Sequence, residues 1–123
     1  MAVPILKQGE HLIASIQNSV TDKDLLELQN DLVERVGRFR SRGVVIDVSL
    51  LDIIDSFATR TLRNLASMVR LRGAKVVIVG IQPEVAFAMV QLGLRLDEVT
   101  TALDLEEGLD LLDKNEGLVD SNG

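Results

Sequence analysis

Two short aliphatic runs, Val44-Val45-Ile46-Asp47-Val48 and Ala74-Lys75-Val76-Val77-Ile78-Val79-Gly80, constrain this chain most. Neither alternates cleanly between apolar and polar residues. That is the pattern of strands covered on both faces, and such strands belong to parallel sheets. Between the runs, Leu62, Leu65 and Val69 recur at helical spacing, and Gly73 closes the stripe. A buried strand, a helix and a second buried strand in series make a crossover unit, so the chain is expected to be α/β with a mostly parallel sheet.

The flanking segments extend this unit. Val3 to Gln8 and Leu12 to Gln17 are apolar-rich and separated by Gly9-Glu10, which predicts a hairpin. Thr21-Asp22-Lys23-Asp24 supplies a cap and acidic first-turn residues for a helix whose stripe is Leu25, Leu28, Leu32 and Val36, ending near Gly43. Pro83 suits the first turn of a third helix, Glu84 to Leu92, closed by Gly93. A short extended piece follows around Val99-Thr100. Asp104 with Glu107, ahead of Leu109 and Leu112, opens a last helix. The expectation is one domain over residues 1–123, with about five strands, about four helices, a core at about 3–113 and a polar tail at 116–123 that frays.

Composition excludes several function classes. There is no cysteine, which removes disulfides and thiolate chemistry, and His11 is the only histidine, a poor basis for a metal site or a catalytic triad. No metal, no cofactor and no enzymatic activity are expected. The net charge of −6 disfavours nucleic acid and anionic lipid. Arginines do cluster, at Arg35, Arg38, Arg40 and Arg42 and at Arg60, Arg63, Arg70 and Arg72, but Phe39, Phe57 and Phe87 are the only aromatic residues available for base stacking. These clusters read as solvated helix faces. The start Met1-Ala2-Val3-Pro4 lacks the basic and long apolar segments of a secretory signal, and no apolar run approaches the ~20 residues of a membrane span. A cytoplasmic location is expected.

Parallel strands leave their C-terminal ends at one edge, where loops carry function. Three loops should share that edge: the turn after Gln17 at Asn18-Ser19, Leu50 to Ser56, and Gly80-Ile81-Gln82-Pro83. In the second, Asp55-Ser56-Phe57 marks the passage from strand to helix. Ser56 reads as the cap of that helix, with its hydroxyl exposed and free backbone N–H groups close by. The same position suits a phosphate, whose roughly −1.5 to −2 charges would fall near Asp47, Asp52 and Asp55. The two roles are compatible. Thr59, one turn on, is an ordinary first-turn residue or a second acceptor. Asp52 and Asp55 bind an ion, orient the hydroxyl, satisfy loop amides or meet a partner. Phe57 is a core anchor or a half-exposed contact. Gly80 to Pro83 lacks the glycine-rich phosphate fingerprint and reads as a structural turn.

The stretch Val45 to Ser56 resembles the signature of the STAS family, the sulfate transporter and anti-sigma factor antagonist domain. Asp55-Ser56-Phe57-Ala58, Arg72-Gly73-Ala74-Lys75-Val76-Val77 and Gly80-Ile81-Gln82-Pro83-Glu84-Val85-Ala86 are similar to that family in order and spacing, from Val3 to about Leu112. The resemblance implies an antagonist whose serine after the loop aspartate, Ser56, is phosphorylated by a partner serine kinase of the switch type (RsbT-like). Simpler antagonists carry Ser-Ser-Gly or Ser-Thr-Gly after the aspartate, whereas Ser56-Phe57-Ala58 resembles the stressosome branch. That branch implies a scaffold that self-associates, assembles with RsbR-like sensor proteins through their own STAS domains, and releases the kinase once phosphorylated. Asp52, Asp55, Phe57, Thr59, Arg60, Ile81 and Gln82 are then the expected partner surface. The alternative implied by the family is a module that binds a small molecule or nucleotide.

Overall fold

The computed structural model describes residues 3–95 and 99–122, with the side chains of 115–122 left aside. The elements are β1 (Ile5–Gln8), β2 (His11–Gln17), α1 (Asp22–Phe39), β3 (Gly43–Leu50), α2 (Ser56–Leu71), β4 (Lys75–Val79), α3 (Pro83–Gln91), β5 (Thr100–Ala102) and α4 (Leu105–Asn122). The five strands form one sheet in the order β1-β2-β3-β4-β5. The β1–β2 hairpin is antiparallel and every other pairing is parallel. This is the expected α/β architecture.

The period of two along the strands divides the core between the two faces of the sheet. Leu12, Ala14, Ile16, Val44, Ile46, Val48, Val76 and Ile78 point one way, into the main core with Leu25, Leu28, Leu32 and Val36 of α1, Leu62, Leu65 and Val69 of α2, and Val85 and Met89 of α3. Ile13, Val45, Val77 and Val79 point the other way and meet Leu105, Leu109 and Leu112 of α4. Helix α4 lies close to the sheet because Gly108 has no side chain: a Cβ there would fall 2.7 Å from a methyl carbon of Val79.

Two boundaries differ from the sequence reading. Helix α1 ends at Phe39, with Arg40 in the left-handed conformation (φ 51°) and its N–H donating to the Val36 carbonyl. Gly43, read as the helix stop, is instead the first residue of β3. Its lack of a side chain makes room for Leu112 and the ring of His11, either of which a Cβ would approach within 3 Å. The last helix continues to Asn122, because 113–122 contains no proline and Gly117 alone costs only about 1 kcal/mol relative to alanine. Gly123 lies outside the described residues.

Candidate functional site

The C-terminal ends of β2, β3 and β4 bring the three expected loops together. Asn18 and Asp52 clasp the first two: the Asn18 amide donates to the Asp52 carboxylate at 3.1 Å, and the Asp52 backbone N–H donates to Asn18 Oδ1 at 3.1 Å. Gln82 ties in the third, its amide donating to the Ser49 carbonyl at 2.9 Å and to the other Asp52 oxygen at 3.3 Å. The β2–β3 register slips between Ser15/Asp47 and Gln17/Leu50, where β3 holds one extra residue. Such a bulge bends the strand end and re-aims the loop beyond it. Ser49 is steadied there by its N–H bond to Asp47 Oδ1 at 2.9 Å. Gly80 has φ +74°, and a Cβ on it would sit 2.7 Å from the Ser49 Cβ, so β3 and β4 meet closely only because this residue is glycine.

Asp55, and not Ser56, is the N-cap of α2. Its backbone is extended, and Oδ1 accepts the Ala58 N–H at 2.8 Å. A carboxylate is as good a cap as a hydroxyl and also carries the charge that suits the positive end of a helix, so Asp55 takes the position assigned to its neighbour. Ser56 is therefore the first helical residue, exposed, and its hydroxyl makes no hydrogen bond to any described residue. It lies at the helix start, on the rim that Asp52 shares with Gln82.

Thr59 corrects the expected partner surface. It is 2% exposed, and its hydroxyl donates to the Asp55 carbonyl at 2.9 Å, so it braces the first turn from inside and offers a partner nothing in this state. Thr61 is likewise buried, donating to the Phe57 carbonyl at 2.8 Å. Phe57 and Ile81 are partly buried against the main core. Asp52, Asp55 and Arg60 are exposed, with Arg60 one turn beyond Ser56 on the same helix. Asn18, expected only as part of a turn, is the site residue whose role the sequence reading missed. Its signal is an asparagine directly after a strand, a side chain able to give and take one hydrogen bond each with a neighbouring loop.

Beside Ser56 runs a groove of about 420 Å3 between the start of α1 and the β3–α2 loop. Its floor is apolar, with Ile16, Val20, Leu25, Leu51, Ile54 and Leu62, and its mouth carries Asn18 and the carboxylates of Asp22, Asp52 and Asp55. No lysine or arginine is among the described residues lining it. Among the described residues no group of three or more histidines or carboxylates is placed to share a metal ion, and no helix is long and apolar enough to cross a membrane.

Comparison with known proteins gives concordant matches. The profile of the STAS domain matches residues 3–108. A Ser-to-Glu variant of RsbS from Moorella thermoacetica is 33% identical, with a TM-score of 0.86 over 93% of this chain and 97% of that one. A chain from the stressosome, described as a signal integration and transduction hub, is 34% identical, with a TM-score of 0.84 over 92% of this chain and 98% of that one. The RsbT co-antagonist protein RsbRA of Bacillus subtilis is 26% identical over 110 residues, 89% of this chain. The chain spans only 40% of the length of that relative.

Proposed function

The chain belongs to the STAS domain family, and on that premise we propose that it is a phosphorylation-controlled scaffold that holds an RsbT-like switch serine kinase and releases it once Ser56 is phosphorylated. One observation carries this reading. The Ser56 hydroxyl is exposed, unbonded to any described group, and set at the first residue of a helix on a rim where hydrogen bonds join three loops. The kinase supplies ATP and magnesium. Transfer breaks the bond from the γ-phosphorus to the β–γ bridging oxygen, forms one to Ser56 Oγ, and sends the hydroxyl proton to a base on the kinase. The chain itself catalyses nothing.

Release follows from charge. A dianion on Ser56 lies beside Asp55 and faces the phosphates of the kinase's own nucleotide, and it must shed water if the interface stays closed. A penalty of about 2–4 kcal/mol weakens binding by tens- to a thousandfold, with the fold unchanged. Asp52, Asp55, Phe57, Arg60, Ile81 and Gln82 surround the acceptor as the contact surface, with Thr59 withdrawn into the helix. Assembly with RsbR-like STAS proteins belongs to the same reading. The four-residue edge strand β1, with Leu6 exposed, offers one surface for it.

Incubation with Bacillus subtilis RsbT and magnesium ATP, followed by phosphate mapping by mass spectrometry, tests the reading. One phosphate on Ser56 is expected, absent from Ser56→Ala. Phosphate elsewhere, or none with an active kinase, overturns it. In this groove the rival nucleotide-binding role is disfavoured by the three carboxylates at the mouth, which repel phosphates. Melting temperatures raised by GTP or ATP alone would favour that rival.

A further inference from the structure

The groove beside Ser56 is distinct from the acceptor itself. Ser56 does not line it, yet Asp55 and Ala58 of the same helix start do. Its floor is aliphatic, and Ile53 at its lip is 76% exposed, an isoleucine left in water next to an apolar trough. Its mouth is ringed by carboxylates from two helix starts and a loop, with no cation among the described lining residues. Asp52 is held in place by the amides of Asn18 and Gln82, and Asp55 by the Ala58 N–H. An apolar trough with a fixed acidic mouth matches one chemistry: an aliphatic side chain flanked in sequence by lysine or arginine. The aliphatic group gains by leaving water, and the flanking cation meets the carboxylates at the rim.

We infer that this groove anchors the bound kinase through such a cation-flanked aliphatic side chain, while Ser56 acts as a separate release point. The identity of the partner rests on the kinase reading; the chemistry of the anchor does not. Anchor and release point differ in sign. The anchor attracts cations, whereas the release point repels the anionic nucleotide once phosphorylated.

Two measurements separate the readings. In the first, Bacillus subtilis RsbT is titrated against the wild type, Ala58→Leu, which fills the groove while keeping the backbone cap bond, and Asp22→Asn, which removes one rim charge. Ala58→Leu should weaken binding about tenfold or more at any salt concentration. Asp22→Asn should weaken it about two- to threefold at low salt and flatten its salt dependence. In the second, backbone amide NMR follows the chain with the peptides Ac-Arg-Leu-Arg-NH2, Ac-Glu-Leu-Glu-NH2 and Ac-Arg-Ser-Arg-NH2. Only the first should shift amides in both 18–25 and 51–58, and Ala58→Leu should abolish the shifts. If the glutamate peptide shifts them equally, or the arginine-leucine peptide shifts none, the groove proposal is wrong even where RsbT binds. If that peptide binds as expected and RsbT does not, the groove stands and the kinase reading falls. A folded Ala58→Leu that binds RsbT like the wild type overturns the anchoring role.

Discussion

Helices α1 and α2 start at the same rim and are closed in different ways. The start of α1 is a complete capping box: Asp24 N–H donates to Thr21 Oγ1 and Thr21 N–H donates to the Asp24 carboxylate, both at 3.1 Å. Asp22 and Asp24 both sit in its first turn, and Asp24 is buried. The start of α2 has a single cap from Asp55, no acidic residue in its first turn, and an exposed serine at its first position. Both positive helix ends meet a carboxylate, α1 through a reciprocal box and α2 through one cap bond with the exposed Ser56 beside it. The difference leaves an exposed hydroxyl at the start of α2, whereas the hydroxyl at the start of α1 is engaged in its cap.

The largest effect that tests this difference is on kinase affinity. A phosphate on Ser56 should weaken RsbT binding by about 2–4 kcal/mol, Ser56→Asp should weaken it less, and Ser56→Ala should leave it strong and unreleasable. Added salt should rescue Ser56→Asp in part and Ser56→Leu hardly at all, because only the former acts through charge. Equal affinity of Ser56→Asp and Ser56→Ala at low salt would show that charge is not the cause.

Much of this was legible in the sequence, and the misses share one cause. The strands were readable because Val44 to Val48 and Val76 to Val79 are apolar on both faces, and α1 and α2 because their stripes repeat every three to four residues. The rim followed from topology. Caps were harder: Asp55 and Ser56 are adjacent and both are good capping residues, so composition could not say which has the extended backbone that a cap requires. Thr59 looked like a surface hydroxyl because its bond to the Asp55 carbonyl appears only once the helix is built. The role of Gly43 was hidden for the same reason, since Leu112 and His11 come to it from distant parts of the chain. The groove and its Asp22 depend on the packing of α1 beside the β3–α2 loop, a three-dimensional arrangement with no local pattern.

The next effect is on stability. Thr21→Ala breaks the box that closes α1 and should cost near the top of about 0.5–2 kcal/mol, whereas Asp55→Ala removes one bond and should fall in the lower part of that range. Urea unfolding of both variants gives the order directly. If Asp55→Ala is the more destabilising, α2 is not the more loosely closed of the two starts.

A pH series sharpens the same contrast at α1. The Thr21 N–H bond to the Asp24 carboxylate lowers the Asp24 pKa below its ordinary value, against the opposing effect of burial. The stabilisation from this carboxylate is therefore fully present above the ordinary aspartate value, near pH 4, and is lost as pH falls through the depressed one. Asp24→Asn should be less stable than the wild type at neutral pH, with the gap closing in acid. A gap that stays constant into acid would mean that the charge of Asp24 contributes nothing to the closure of α1.

The smallest effect is the most diagnostic for α2. With Asp55 as the cap, the Ser56 hydroxyl holds no part of the helix start, so Ser56→Ala should change unfolding free energy by no more than about 0.5 kcal/mol. A capping serine would instead cost about 1 kcal/mol on the same change. Alanine is also the better helix former, which pushes the balance toward no change or a slight gain. The measurement must be made alongside Asp55→Ala in the same buffer, because the two positions are in contact along the chain and their effects are expected to couple. If Ser56→Ala proves as destabilising as Asp55→Ala, the serine shares the capping role in solution. Phosphorylation would then have to break a structural bond, and the separation of a stable fold from a free acceptor at α2 would fail.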